Sequence, residues 1–256
     1  MKRSLADSLS ARGRTGFVPF VVAGDPSLRA TERLVLELGR AGADIVELGV
    51  PFSDPVADGP VIQAASERAL KTQTSLRGVL ALAKRLRASG APPLILFTYL
   101  NPVLRLGLPR FAAEAAAAGL AGVLCVDLPA EEGGELSREL RRRGLEPVLL
   151  AAPTTSDARL KAIGRASGSI VYYVSREGVT GVRRGLAPGV AERIEKVRRL
   201  TGKAVIVGFG VSEPGQVKAL ARYADGVVVG SALVERAADR GLAAAARLTR
   251  RLIAAL

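Results

Sequence analysis

AVIVGFGVSEPGQVKALARYADGVVVGS, residues 204–231, contains one complete strand–helix–strand repeat. It opens on the apolar run AVIVGF (204–209) and turns at glycine. It then enters SEPGQVKALARYA, where Ser212 is the expected helix N-cap. It closes on a second apolar run, GVVVGS (226–231). Both runs are rich in Val with little polar alternation, the pattern of strands covered on both faces.

Runs of the same kind recur along the chain: FVPFVV (17–22), DIVELG (44–49), LILFTY (94–99), GVLCVD (122–127), PVLLAA (147–152) and IVYYVS (170–175). Amphipathic segments separate them. SLRATERLVLELGRAG (27–42) carries Leu34, Leu38 and Ala41 at helical spacing and ends in Gly42. FAAEAAAAG (111–119) and EEGGELSRELRRRG (131–144) also end in glycine, the usual helix stop. Such units repeated through 256 residues predict an α/β fold, a closed (β/α)8 TIM barrel, as a single domain over 1–256. An open doubly wound sheet would place a glycine-rich nucleotide loop after its first strand, and VAGDPS lacks that pattern. Leu5 and Leu9 lie one turn apart within 3–12, which predicts an extra N-terminal helix closing the barrel bottom.

Composition narrows the setting. The lone Cys125 allows no internal disulfide, and no segment reads as a signal peptide or a membrane span, so a cytoplasmic protein is expected. The formal charge of +13 raises nucleic-acid binding as a reading. The basic residues are spread over most predicted helices, with no aromatic stripe for base stacking, which favours a solvated surface without nucleic-acid or membrane partners. Few Asn and Gln, one Cys and one Met point to a thermophilic source or to a GC-rich genome.

In a parallel barrel the chemistry sits at the C-terminal strand ends. Strand 2 ends in Glu47, flanked by Val46 and Leu48. If those two face the helices, alternation turns Glu47 inward, where burial raises its pKa toward the range of a general acid–base. A buried glutamate satisfied by a tyrosine or an amide is the other reading. The loop SDPVADGP carries Asp54 and Asp58 beside turn-forming Pro55 and Gly59, and Pro60 suits the first position of a helix. Asp58 is either a turn or cap residue or a second carboxylate of the site. REGVTGVRRG (176–185), GFGVS (208–212) and GSALVE (230–235) form three glycine-bearing loops on one rim, suited to an anion such as phosphate. Without histidine a zinc site is not expected, and no metal is assigned. No lysine stands at a strand's C-terminal end, which argues against Schiff-base chemistry. A carboxylate-driven reaction on a phosphorylated substrate is what remains.

These residues resemble the alpha subunit family of tryptophan synthase. The shared stretches are FVPFVVAGDP, AGADIVELGVPFSDPVADGPVIQ, YLNPV, DLP, SREGVTG, GFGVS and VVGSALV, in order across nearly the whole chain. The resemblance implies a TIM-barrel carbon–carbon lyase of tryptophan biosynthesis that cleaves indole-3-glycerol phosphate to indole and glyceraldehyde 3-phosphate. It implies no cofactor in this chain. The partner is a beta subunit carrying pyridoxal phosphate, in a complex of two alpha and two beta chains. Carried over by motif, Glu47 is the general acid–base and Asp58 the acceptor of the indole N–H. Phe20, Ile62, Tyr99, Leu124, Tyr172 and Phe209 contact the substrate, and Gly181, Gly210, Gly230 and Ser231 hold the phosphate. Thr180 sits in a lid and holds Asp58 on closure. Asp54, Pro55, Asn101 and Pro129 face the beta subunit. Glu177, where a small residue is usual, and Arg183–Arg184 depart from the family pattern in that lid. The alternatives are another phosphate-binding barrel, a non-catalytic phosphate-sensing barrel that regulates a partner enzyme, and an Arg-rich nucleic-acid binder.

Overall fold

Residues 3–174, 188–208 and 210–256 are described by the computed structural model of the chain. The strands are β1 (Gly16–Val22), β2 (Val46–Gly49), β3 (Leu94–Thr98), β4 (Gly122–Cys125), β5 (Glu146–Ala151), β6 (Ile170–Val174), β7 (Ala204–Gly208) and β8 (Gly226–Val229). They pair in chain order and close into a barrel, with every pairing parallel. The helices are α1 (Leu5–Ser10), α2 (Leu28–Arg40), α3 (Pro60–Lys71), α4 (Leu76–Ala88), α5 (Leu100–Leu106), α6 (Leu108–Ala117), α7 (Gly134–Arg142), α8 (Asp157–Ala166), α9 (Val190–Thr201), α10 (Pro214–Leu220), α11 (Ser231–Arg240) and α12 (Leu242–Ile253).

The strands sort their side chains into two apolar layers. Val46, Leu48, Leu94, Leu96, Val205 and Val207 join the shell between sheet and helices, with Leu38, Leu82 and Ile194. Val18, Ile45, Ile95, Leu124, Ile170, Tyr172 and Ile206 fill the barrel itself. Both faces are therefore dry, which is why these strands read as continuous apolar runs. From β3 to β8 each strand ends one or two residues before its apolar run does. The trailing residues leave the ladder for connections and caps: Tyr99 caps α5, and Gly230 caps α11.

The N-terminal helix lies where the sequence places it. Ser4 and Asp7 form a capping box at its start. Leu5 and Leu9, each 1% exposed, plug the bottom of the barrel. Glycines on the strands make room for them. A Cβ at Gly122 would stand 2.9 Å from Leu5 Cδ1, and one at Gly226 would stand 2.9 Å from Leu9 Cδ2. Glu146 at the foot of β5 accepts the Leu5 N–H at 2.8 Å, and Ser169 accepts the Ala6 N–H at 3.0 Å, so the free donors of the helix start are satisfied.

One cap differs from the sequence reading. Glu213, not Ser212, is the N-cap of α10, in a capping box with Gln216. Pro214 then occupies the first turn, where a missing N–H costs nothing. The Ser212 N–H instead donates to Gln216 Oε1 at 2.8 Å.

Candidate active site

Glu47 pairs in register with Phe20 on β1 and Ile95 on β3. Its strand neighbours face the outer shell, so its side chain points into the barrel, one step above Ile45. It is 0% exposed, and neither carboxylate oxygen has a hydrogen-bond partner among the described residues. Desolvation pushes its pKa up from 4.5 to about 8. A structural glutamate would be expected to have a partner, because an unsatisfied buried polar group is costly. Glu47 is held as a protonated acid at neutral pH.

Asp58 lies on the β2–α3 connection, above it. Gly59 is the N-cap of α3 and Pro60 its first residue, so Asp58 does not serve as the cap. Its Oδ2 accepts the Tyr99 hydroxyl at 2.9 Å. The same hydroxyl oxygen accepts the Ala57 N–H at 3.1 Å. Burial raises the Asp58 pKa, opposed in part by the Tyr99 hydrogen bond. Phe52 stacks on Tyr99 with centroids 4.8 Å apart and fixes the phenol ring. At the far end of α3, Arg68 grips Asp25 of the β1–α2 connection with two bonds of 2.8 Å, which anchors the helix that follows Asp58.

A cavity of about 700 Å³ opens at the C-terminal ends of the strands. Phe20, Asp58, Ile62, Tyr172, Gly210, Gly230, Ser231 and Pro129 line it. Phe20 meets Phe97 edge to face, with centroids 5.2 Å apart. Gly208 is required beneath Tyr172, because a Cβ there would overlap the phenol oxygen. Glu47, Tyr99 and Leu124 are not among the residues that line it. Glu47 and Asp58 nevertheless both act on the Tyr172 phenol, whose pKa burial and those two charges raise well above its ordinary value. The carboxylates and the tyrosine thus share one electrostatic environment.

Gly230 and Ser231 begin α11, so backbone N–H groups and the positive helix end face the cavity beside Gly210, which has φ +53°. Thr180, Gly181, Phe209, Glu177 and Arg183–Arg184 lie outside the described residues. Asp54 is exposed and Pro55 partly so, next to Val56 at 84% exposure. Asn101 lies in a second cleft of about 640 Å³ with Phe52, Leu70 and Arg105. The reading of the sequence did not single out Phe97, Asp127, Thr154, Thr155 or Arg159, which also line the cavity. Asp127 stood within the quoted run GVLCVD and could have been found as a polar residue at a strand end. No group of three His, Cys, Asp or Glu among the described residues could hold a metal ion.

An eight-stranded parallel barrel with a buried acid that has no hydrogen-bond partner among the described residues, and a cavity with a second carboxylate at its lip, has the form of a barrel enzyme. The sequence profile of the tryptophan synthase alpha chain family matches residues 6–254. A tryptophan synthase alpha chain of Citrifermentans bemidjiense is 49% identical over 228 residues, covering 89% of this chain and 85% of that one. The structure of Mycobacterium tuberculosis tryptophan synthase superposes with a TM-score of 0.91 at 36% identity, covering 99% of this chain and 98% of that one. A chain of the tryptophan synthase a2b2 complex of the hyperthermophile Pyrococcus furiosus gives a TM-score of 0.89 at 39% identity, covering 94% of this chain and 99% of that one. The chain belongs to the tryptophan synthase alpha chain family. Its class is therefore a lyase of tryptophan biosynthesis that cleaves indole-3-glycerol phosphate.

Proposed function

We propose that Glu47 and Asp58 carry the cleavage of indole-3-glycerol phosphate, and that the glycines over β7 and β8 hold the phosphate. The observation that carries this reading is the Glu47 carboxyl, wholly buried, without a hydrogen-bond partner among the described residues and protonated up to about pH 8. Such a group can deliver a proton to C3 of the indole ring. Asp58, as carboxylate, accepts the indole N–H and stabilises the positive charge that protonation places on the ring. The C3–C1′ bond of the resulting indolenine then breaks, and its electron pair restores the indole. The hydroxyl on C1′ becomes the aldehyde carbonyl as its proton passes to the Glu47 carboxylate. Indole and glyceraldehyde 3-phosphate leave, and Glu47 is again protonated.

Phe20, Ile62 and Tyr172 form the apolar walls for the indole, with Leu124 packed behind them and Tyr99 fixing Asp58. The phosphate lies on the N-terminal end of α11 at Gly230 and Ser231, beside Gly210. Thr180, Gly181 and Phe209 keep the substrate roles that the resemblance implies. The cavity volume suits a ligand of this size.

The beta subunit is the proposed partner, in a complex of two alpha and two beta chains, and it carries the pyridoxal phosphate. The a2b2 assembly of the Pyrococcus furiosus relative supports this. Exposed Asp54, Val56 and Asn101, with Pro55 and Pro129, form the face turned to it. A single-domain cytoplasmic enzyme is the matching reading. No helix among the described residues is long and apolar enough to cross a membrane. The test is release of indole and glyceraldehyde 3-phosphate from indole-3-glycerol phosphate with a beta subunit present. Stoichiometric products support the reading. Ligand binding without products would move it to a phosphate-sensing barrel.

A further inference from the structure

Among the described residues, the cavity lining holds one cationic side chain, Arg159, beside the acidic Asp58 and Asp127. Arg159 is the third residue of α8, and its N–H donates to the N-cap Ser156. That position favours Glu or Gln, which would complete a capping box, and a cation there opposes the helix dipole. The helix itself gives no reason for an arginine. The guanidinium turns to Glu131 on the β4–α7 connection, with Nε 3.0 Å from Oε1 and Nη2 3.2 Å from Oε2. The two side chains are 48% and 53% exposed, so solvent weakens the pair and leaves it open to exchange.

We infer that Arg159 is a specificity-determining residue that recruits the substrate's phosphate, with Glu131 as the competing anion that holds the guanidinium until substrate arrives. The inference rests on the phosphate-ester reading of the cavity given above. A planar guanidinium binds phosphate oxygens in the same forked geometry as a carboxylate, and a dianion outbids a monoanion for it. On binding, the phosphate displaces Glu131 and keeps the guanidinium together with the start of α11, which line the same cavity, so the contact persists in the complex that KM reads. Arg159 acts on binding and has no part in the proton transfers.

Steady-state indole release with a beta subunit present, at low and high salt, tests this on wild type, Arg159→Met and Glu131→Gln, with thermal melting as a folding control. Arg159→Met raises KM by about fivefold, the worth of a partly exposed charge pair, and leaves kcat within about twofold. Its KM also depends less on salt than the wild-type KM does. Glu131→Gln lowers KM, because the competing anion is gone. A pair that merely ties two connections together would raise KM in both variants, and that result overturns the inference. So does an Arg159→Met enzyme with wild-type KM and salt dependence. A wild type that releases no indole removes the reaction reading itself, a failure distinct from either.

Discussion

The Tyr99 hydroxyl donates to Asp58 Oδ2 at 2.9 Å across 41 positions of sequence, joining the β2 and β3 connections at the lip of the cavity. That bond lowers the Asp58 pKa against the burial that raises it. It favours the ionised form against that burial and aims the carboxylate. Phe52, stacked on Tyr99, belongs to the second cleft, so the same ring links the proposed partner face to the proposed charge stabiliser.

Removing the phenol oxygen tests this link. Tyr99→Phe leaves burial unopposed, so the Asp58 pKa rises and the acid limb of activity moves to higher pH. Loss of a hydrogen bond to a charged group costs about 1.5–3 kcal/mol, so kcat/KM should fall by roughly tenfold or more. The kcat/KM profile of the variant against pH is the measurement.

The two carboxylates predict a bell-shaped profile. Asp58 must be ionised, and its raised pKa puts the acid limb above the ordinary value of 3.8. Glu47 must be protonated, which puts the alkaline limb near pH 8. A plateau extending well above pH 8 in kcat/KM would contradict the assignment of Glu47 as proton donor.

Stability should follow the same group. The folded pKa of Glu47 lies above its unfolded value of 4.5, so the folded state binds the extra proton between about pH 4.5 and 8. Stability is therefore lost as pH rises through that window. The full loss above it is at most about 5 kcal/mol, from about 1.4 kcal/mol for each pH unit of separation. Glu47→Gln removes this dependence and should be the more stable protein at pH 9. Denaturant melts at pH 5, 7 and 9 read the difference.

The N-terminal plug is a matter of packing alone. Leu9 is 1% exposed, and its side chain fills space that Gly16 and Gly226 leave open. Leu9→Ala should cost about 2–5 kcal/mol in denaturant unfolding, without moving the limbs of the pH profile.

The barrel was legible because both faces of each strand are buried, so periodicity reported burial directly. Glu47 was legible on a condition that the fold meets: with Val46 and Leu48 facing the helices, alternation turns it inward. The bond from Tyr99 to Asp58 was not, because no local pattern connects residues on different connections. The cavity wall over β4 and β5 was also hidden. Asp127, Thr154, Thr155 and Arg159 follow those strands without a glycine signature, and only closure of the barrel brings them to one space. The N-cap of α10 could have been read correctly: Pro214 favours the first helical position, which leaves Glu213 as the cap and Gln216 as its partner.

The central claim is that the buried acid at Glu47 performs the cleavage. It is tested most directly by measuring substrate binding and indole release in one sample of Glu47→Gln, beside wild type. Gln keeps the shape and cannot give or take the proton. The account predicts near-wild-type affinity for indole-3-glycerol phosphate and turnover reduced by at least about a hundredfold. A Glu47→Gln enzyme that binds substrate and releases indole at the wild-type rate would contradict it.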